Sequence, residues 1–337
     1  MQTNPSSARL NPQHQYYFET AQQAITALPA YRRRLADIAK TYNGLGEVIA
    51  DQDYPTEVMV LRPQHTKAPP LLLIGGMGPI PGVAGFEQAC EMFQNTREIV
   101  LLQACALPNR TAVMAEKRQA GSKTLAKTLA EEELVEMLEM AIRVGVAQIS
   151  TSDTPIQVIV LCNAAHYFLP QAWQRLLNNH PQMAIKLQWI SLIESVVDYL
   201  KAQPWRRPLL LCTSATRWGQ VYAHPLQANG IDLIEPRDAL QLTLMDCIYQ
   251  GVKASNRDLT CFLGERFFVE LLNTQPDPDC IIAGCSEIPC LLECLQGTTT
   301  GAVGQFLSAL DVINPVQLAL NHAAENLQPM AAMELNL

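Results

Sequence analysis

The chain lacks the features that mark several large classes of protein. No apolar run in its 337 residues reaches the ~18 residues of a membrane-spanning helix, and the first residues lack the charged and apolar regions of a secretory leader. Basic residues form a run only at 32–34 and the net charge is −8, which disfavours nucleic acid as a partner. The ten cysteines include no C-x-x-C pair, so a zinc ribbon is unsupported. We therefore expect a cytoplasmic protein with reduced cysteines and no nucleic-acid or membrane partner.

Hydrophobic residues make up 48% of the chain, enough for a sizeable buried core. From residue 71 onward, short β-type runs alternate with helical patterns, as is typical of an α/β fold. The predicted strands include 71–74, 99–103, 187–193, 209–213 and 280–283. The predicted helices include 131–144, 170–177, 218–229, 237–253, 266–273 and 315–327.

Three units are predicted along the chain. Residues 1–66 form an N-terminal helical extension, in which Pro29 interrupts a helical stretch over 16–42. A first α/β domain takes 67–190 plus 300–330, and a second takes 191–299. Each half has an apolar strand with a Gly- or Thr-rich turn and later a strand that ends in a cysteine turn, which suggests an ancient duplication.

Two cysteines share this unusual setting. Cys162 and Cys285 each follow an apolar strand and precede a turn and a predicted helix. The carboxyl edge of a parallel sheet is where α/β proteins bind ligands, and a helix N-terminus favours the thiolate form of a cysteine. A thiolate on one face of a carbon and a thiol on the other is what racemisation requires, because one removes the α-proton and the other returns it. A single cysteine at a strand end is usually a core residue, but two with matching turns favour catalysis.

Several segments resemble the signatures of the cofactor-independent aspartate/glutamate racemase superfamily. The segments 75–79 (GGMGP), 162–168 (CNAAHYF) and 284–289 (GCSEIP) are similar to the family's GGMGP, CNTAHYF and GCTEIP. The segments 108–111 (PNRT) and 211–216 (LCTSAT) are similar to its P-D-R-T and L-A-T-x-G-T. The resemblance runs from about 71 to 327 in the family's order, and it is greatest to the aspartate racemases.

This resemblance implies two flavodoxin-like α/β domains with parallel sheets, related by a pseudo-twofold axis, with the active site in the cleft between them. It implies Cys162 and Cys285 as bases, no pyridoxal phosphate or other cofactor, and a homodimer. It also implies that Arg110 and Lys253 bind the side-chain carboxylate of an acidic amino acid, L-aspartate or a methylaspartate. The further substrate-binding residues are Met77, Asn163, Ala164, Thr213, Thr216 and Ser286.

Two motif threonines of the family are replaced here, by Ala164 and Ser286. Ala164 leaves room for a β-methyl group, as on methylaspartate. This change and the N-terminal extension favour a role in supplying D-acidic residues to nonribosomal peptides, as the aspartate racemase of the microcystin pathway does.

Several of the candidate site residues also have a simpler alternative role. His166 assists a cysteine, hydrogen-bonds in the cleft wall or, least favoured, ligates a metal; no metal is expected. Glu287 assists Cys285 or caps a helix, and Asn163 binds carboxylate or stabilises its turn. Arg110 is a cleft residue or a surface ion-pair partner, and Lys253 is a cleft residue or interacts with a helix dipole. Thr213 and Thr216 bind carboxylate or shape a turn.

Two other functions stay open at this point. One is a decarboxylase or maleate isomerase of the same superfamily, although a decarboxylase needs only one of the two cysteines. The other is a catalytically silent binding protein for acidic amino acids, which would bind its ligand without exchanging the α-proton with solvent.

Overall fold

The computed structural model describes residues 9–47, 49–66, 68–120, 128–150, 154–274, 277–296 and 301–325. Residues 1–8, on which the expected absence of a secretory leader rests, lie outside this set. So do parts of the predicted extension and domains, namely 48, 67, 121–127, 151–153, 275–276, 297–300 and 326–330. Strands and helices alternate along most of the described chain. None of the helices in these ranges combines the length and the apolar character needed to cross a membrane.

The strands are β1 (His14–Phe18), β2 (Glu57–Leu61), β3 (Leu71–Gly75), β4 (Ile99–Gln103), β5 (Ile156–Val160), β6 (Leu187–Trp189), β7 (Pro208–Cys212), β8 (Cys280–Gly284) and β9 (Asp311–Ile313). The helices of the first part are α1 (Ala21–Gly44), α2 (Pro79–Phe93), α3 (Arg110–Ala120), α4 (Leu129–Val146), α5 (Leu169–Asn179), α6 (Pro181–Ala184) and α7 (Leu192–Lys201). Those of the second part are α8 (Ser214–Trp218), α9 (Ala223–Ala228), α10 (Asp238–Asp246), α11 (Arg257–Leu272), α12 (Ile288–Gln296), α13 (Gly301–Ala309) and α14 (Pro315–Glu325). Short 3₁₀ turns occupy Asp51–Asp53 and Asn163–Tyr167, and a π-helix occupies Cys247–Lys253.

The strands form two sheets. The first has the order β1-β2-β4-β3-β5-β6 and is parallel except where β2 meets β4; the second, β7-β8-β9, is parallel throughout. The central strands of the first sheet are buried along their whole length and are apolar apart from Gln103 and Gln157, because helices cover both faces of a parallel sheet. This arrangement confirms the predicted α/β class with parallel-dominated sheets.

The predicted likeness of the two halves appears in the strand pairing. In the first half, β3, which precedes the glycine turn, pairs in parallel with β5, which precedes the Cys162 turn. In the second half, β7, which precedes the Thr213 turn, pairs in parallel with β8, which precedes the Cys285 turn. Each half therefore brings its two motif turns to neighbouring positions on one sheet edge.

The segment before residue 67 differs from the helical expectation. It contributes β1 and β2 to the edge of the first sheet as well as the predicted helix. Pro29 lies inside α1 without ending it, because Leu28, Tyr31 and Leu35 hold the helix on the core. At the other end of the chain, β9 pairs with β8, so residues 311–313, predicted in the first domain, belong to the second sheet. The domain boundaries themselves stay a prediction.

Local capping explains the other differences. The strand predicted over 187–193 ends at Trp189, because the Ser191 hydroxyl accepts hydrogen bonds from the first N–H groups of α7. The helix predicted over 218–229 is two helices, separated near Gln220, which has a φ of 51°. The helix predicted over 266–273 begins at Arg257, where Asn256 caps it.

Candidate active site

Both predicted base cysteines line one small, buried cavity between the two sheets. Cys162 follows β5 and Cys285 follows β8, and each is 7% exposed. The cavity volume is about 20 Å³, which is room for a single water molecule. Of the predicted site residues, only His166 is missing from its wall; the others are Met77, Arg110, Asn163, Ala164, Thr213, Thr216, Lys253, Ser286 and Glu287. An amino acid can enter only if the cleft opens.

The Glu287 carboxylate lies directly beside the Cys285 thiol. The Cys285 thiol donates a hydrogen bond to Glu287 Oε2 at 2.8 Å, and the Ser286 hydroxyl donates to the same oxygen at 3.1 Å. The other carboxylate oxygen lies against Gly78, whose φ is 148°; a Cβ at Gly78 would come within 2.3 Å of it. The glycine turn after β3 thus makes space for the Glu287 carboxylate.

This arrangement corrects one expectation about Cys285. The sequence predicted that the following helix would lower the pKa of the thiol. Burial instead raises the pKa of Cys285 well above its ordinary value, and the charge of Glu287 and its hydrogen bond raise it further. In this conformation, Cys285 is a protonated thiol that is ready to donate its proton.

Uncharged groups support the turn at Cys162. The His166 Nδ1–H donates to the backbone oxygen of Cys162 at 2.9 Å, and the Leu192 N–H donates to His166 Nε2 at 3.2 Å. Burial lowers the pKa of His166 to about 4, so the ring is neutral and holds the backbone of the turn. Among the described residues, no three His, Cys, Asp or Glu side chains are grouped to hold a metal ion.

Asn163 is held in the cavity wall by a residue that the sequence did not point to. The Tyr222 hydroxyl donates to Asn163 Oδ1 at 2.5 Å, and both side chains are buried. The Asn163 Nδ2 group has no hydrogen-bond partner in the described part of the chain. An unpaired buried donor is costly, and a substrate oxygen would satisfy it.

Arg110 and Lys253 meet at one carboxylate, that of Asp51. Lys253 Nζ donates to Asp51 Oδ1 and Oδ2 at 2.7 and 2.9 Å, and an Arg110 terminal nitrogen donates to Oδ2 at 3.0 Å. Both cations also donate to the Met77 carbonyl, at 3.0 Å from Arg110 and 3.3 Å from Lys253. Neither cation is a surface residue, and Lys253 also lies 3.5 Å from Glu287 Oε1.

Asp51, Lys253 and Arg110 are all charged in this buried cluster. Burial by itself would raise the pKa of Asp51, but Lys253 and Arg110 hold it below its ordinary value. Burial would lower the pKa of Lys253, but Asp51 and Glu287 raise it. Burial would likewise lower the pKa of Arg110, and the neighbouring Cys162 and Asp51 raise it. The cations Arg110 and Lys253 therefore balance the carboxylates of Asp51 and Glu287 at this end of the cavity.

The π-helix that ends at Lys253 also supplies Tyr249, which lines the cavity. The Tyr249 hydroxyl donates to Thr111 Oγ1 at 3.2 Å, and the Asn109 amide donates to the Tyr249 oxygen at 3.2 Å. These bonds join the second half of the molecule to α3 of the first half. A π-turn is frequent at functional sites, and four-residue spacing from Lys253 was the only sequence signal for Tyr249.

The remaining predicted residues have mixed surroundings. Thr213 caps α8, because its hydroxyl accepts from the Thr216 N–H at 3.4 Å and lies 3.2 Å from the Thr216 hydroxyl. Both threonines also line the cavity, so capping and substrate contact are compatible. Ala164 lies in the wall beside Cys162 and is 6% exposed.

A larger cavity, of about 570 Å³, has His166 in its wall. Its wall includes Trp173 and Trp189 but neither of the two cysteines. We assign the active site to the smaller cavity, because only that one combines two thiols, a carboxylate and two cations.

Comparison with known proteins assigns the chain to a family. A sequence model of the Asp/Glu/Hydantoin racemase family matches residues 74–323, about three quarters of the chain. The chain belongs to this family. It is accordingly an amino-acid racemase, which is an isomerase, and the matched range contains every residue of the site except Asp51.

Solved structures of other racemases are similar to the chain. The aspartate racemase of Picrophilus torridus is similar over 76% of this chain and 93% of its own, with a TM-score of 0.54 and 19% identity. A glutamate racemase of Bacillus anthracis matches 77% of this chain and 82% of its own, with a TM-score of 0.45 and 14% identity. The first of these likenesses supports the two-domain flavodoxin-like fold.

Proposed function

We propose that the racemase inverts the α-carbon of an amino acid without a cofactor, with Cys162 and Cys285 as its two bases. The observation that carries this proposal is that both thiols, from turns after equivalent strands of the two halves, line the same buried cavity. A planar carbanion between them would receive a proton from either face. Both thiols are present, which favours racemisation over a one-base decarboxylation.

The different surroundings of the thiols give each a starting role. Cys162 is the other thiol in the cavity wall and takes the role of base. Cys285 donates its S–H to Glu287 and is the acid. The Cys162 thiolate takes the α-proton and becomes a thiol, while Cys285 gives its proton to the opposite face and becomes a thiolate. The reverse reaction restores both thiols to their starting forms. A second turnover in the forward direction requires Cys162 to lose its proton to solvent and Cys285 to regain one from solvent.

Uncharged donors in the wall suit the α-carboxylate. Asn163 Nδ2 is buried without a partner among the described residues, and the Thr213 and Thr216 hydroxyls face the same cavity. Hydrogen bonds from these groups strengthen as negative charge moves onto the carboxylate in the carbanion. This supports an α-amino acid as the substrate class.

The finer prediction is an acidic substrate, L-aspartate or a methylaspartate. Arg110 and Lys253 have the chemistry that this prediction requires, because together they already hold a carboxylate. That carboxylate belongs to Asp51, so an acidic side chain would have to replace it. A cytoplasmic location, a homodimer and a role in nonribosomal peptide synthesis also stay predictions.

The test is α-proton exchange in deuterium oxide without added cofactor. Proton NMR would follow L-aspartate, L-glutamate, methylaspartate, L-alanine, L-serine and L-methionine, and chiral chromatography would identify the product. We expect loss of the α-proton signal with formation of the D-enantiomer for at least one of them. Ligand binding without exchange for any of them would instead indicate a silent binding protein.

The cysteine variants sharpen this test. Cys162→Ser and Cys285→Ser should each reduce racemisation by at least about 10³-fold, because a serine hydroxyl is a far weaker acid than a thiol. Each variant can still exchange the α-proton of one enantiomer through the remaining thiol. Cys212→Ser, at a buried cysteine outside the cavity wall, is the matched control. Full racemase activity in either active-site variant would reject the two-base mechanism.

A further inference from the structure

Asp51 comes from a part of the chain that lies outside the matched family range, yet it reaches the centre of the site. It stands on the 3₁₀ turn Asp51–Asp53, between α1 and β2. Its carboxylate receives three hydrogen bonds, two from Lys253 and one from Arg110. These two cations are the pair to which the family resemblance gives the side-chain carboxylate of an acidic substrate.

The Asp51 carboxylate is fixed by the packing on both sides of it. Ile49 and Tyr54 are 3% and 5% exposed and belong to the main hydrophobic core. Asp51 itself is 6% exposed, so its position is set by the fold and not by a loose terminal arm. Removing this carboxylate would leave Arg110 without its carboxylate partner and Lys253 with only the more distant Glu287, which is unfavourable in a buried site.

The charge balance of the cavity points the same way. Arg110 and Lys253 carry two positive charges, and Asp51 and Glu287 carry two negative charges. A zwitterionic amino acid with an uncharged side chain leaves this balance intact. An amino acid with a second carboxylate adds a negative charge to a buried site that has no free cation among the described residues.

We infer that Asp51 determines specificity by occupying the carboxylate site of Arg110 and Lys253, so that the substrate is an amino acid without a negatively charged side chain. This inference rests on the proposed racemase function and narrows its substrate class. Asp51 takes the place of the second carboxylate of an acidic substrate, and the cations orient the chain's own carboxylate.

The experiment compares substrates in the wild-type enzyme and in Asp51→Ala and Asp51→Asn. The kcat/KM values are measured for L-alanine, L-serine, L-methionine, L-aspartate and L-glutamate. Wild type should prefer the uncharged substrates. Asp51→Ala should raise the ratio of kcat/KM for L-aspartate to that for L-alanine by at least ~100-fold, because the two cations are then free for a substrate carboxylate. Formate, which fits the space of the removed group, should restore activity with L-alanine.

Two further variants and a binding measurement keep the result decisive. Asp53→Asn, at an exposed carboxylate on the same turn, should leave the substrate ratio unchanged. Asp51→Asn keeps the size of the side chain and removes only its charge, so it tests the inference if Asp51→Ala does not fold. Calorimetric titration should show L-aspartate binding at least about tenfold more tightly to the Asp51 variants than to wild type.

Outcomes for the inference and for the proposed function are distinct. Wild type that racemises L-aspartate at least as well as every uncharged amino acid would overturn the inference. Unchanged substrate ratios and unchanged L-aspartate binding in both Asp51 variants would overturn it as well. Absence of α-proton exchange with every amino acid would reject the proposed function, and the binding comparison would still decide whether Asp51 occupies the carboxylate site.

Discussion

The turn at Cys162 and the turn at Cys285 follow five-residue buried strands of parallel sheets, but different groups surround the two thiols. At Cys162, hydrogen bonds from neutral side chains hold the turn: His166 bonds its backbone oxygen and Tyr222 bonds the adjacent Asn163. At Cys285, an ionised network surrounds the sulfur, in which Glu287 accepts from the thiol and lies near Lys253. The cysteine turns are alike in sequence position and unlike in electrostatics.

This difference teaches how one pair of identical side chains can take opposite roles. A racemase needs one base and one acid at the start of each turnover, and two equivalent thiols would leave that choice undefined. Burial and the Glu287 carboxylate raise the pKa of the Cys285 thiol and favour a proton donor there, which leaves the role of base to Cys162. The asymmetry predicts which enantiomer binds productively to the resting enzyme.

Glu287→Gln tests the charged side of this comparison and has the largest expected effect among the variants of the groups that surround the two thiols. We expect kcat/KM to fall by about 100-fold, because general acid–base groups contribute on this scale. The value of kcat/KM must fall by the same factor for both enantiomers. Their ratio equals the equilibrium constant of racemisation, which is fixed because the two enantiomers have the same free energy in solution. The pH profile should also change: Cys285 must be protonated to act as the acid, and Glu287 raises its pKa, so the alkaline limb should move to lower pH in the variant.

A matched control lies on the helix that follows. Glu293 is an exposed carboxylate of α12, and Glu293→Gln should leave both the rate and the pH profile unchanged. A Glu287→Gln enzyme with an unshifted alkaline limb would contradict the assignment of Cys285 and Glu287 as an interacting pair, even if its rate were low.

The sequence predicted the parts of the site that follow parallel strands. The turns at Gly75, Cys162, Thr213 and Cys285 each come after a short apolar run, and the carboxyl edge of a parallel sheet brings such turns together. Arg110 and Lys253 were predicted from the family resemblance, and both reach the cavity wall. These features are local in the sequence, so a pattern within a few residues was sufficient to find them.

Other parts depend on long-range contacts that leave no local pattern. Asp51 lies in a short polar segment that looks like an ordinary loop, and its contact with Lys253 spans 202 positions of the sequence. Tyr222 lies between two short helices where one helix was predicted. Strands β1 and β2 were missed because a helical pattern dominates the segment, although the run Glu57–Leu61 is of β type. Only the folded chain shows which groups a buried carboxylate neutralises.

His166→Gln tests the neutral side of the comparison through the stability of the protein. The pKa of His166 is about 4 in the folded protein and about 6.5 in an unfolded chain, so the unfolded state binds more protons between these values. The free energy of unfolding should therefore fall as the pH is lowered from about 6.5 to 4, by roughly 3 kcal/mol at the acid end. Urea denaturation at several pH values would measure this contribution.

The variant should lose this part of the pH dependence, because glutamine does not titrate. His65→Gln, at an exposed histidine, should retain the wild-type dependence. An equal loss of stability in His166→Gln and in wild type as the pH falls would contradict this assignment. The assignment is that a neutral His166 ring holds the Cys162 turn through its two backbone hydrogen bonds.

Tyr222→Phe makes the smallest change to the same side, since it removes one hydroxyl from the buried pair with Asn163. Asn163 Oδ1 would lose its donor, and the amide would no longer be held with Nδ2 available to the substrate. We expect KM to rise about five- to tenfold with little change in kcat, which corresponds to one hydrogen bond of about 1 kcal/mol. Tyr17→Phe, at an exposed hydroxyl, is the control. A loss confined to kcat would mean that Asn163 stabilises the carbanion more than the bound amino acid. The neutral turn at Cys162 would then contribute to the chemical step, as the charged turn at Cys285 does.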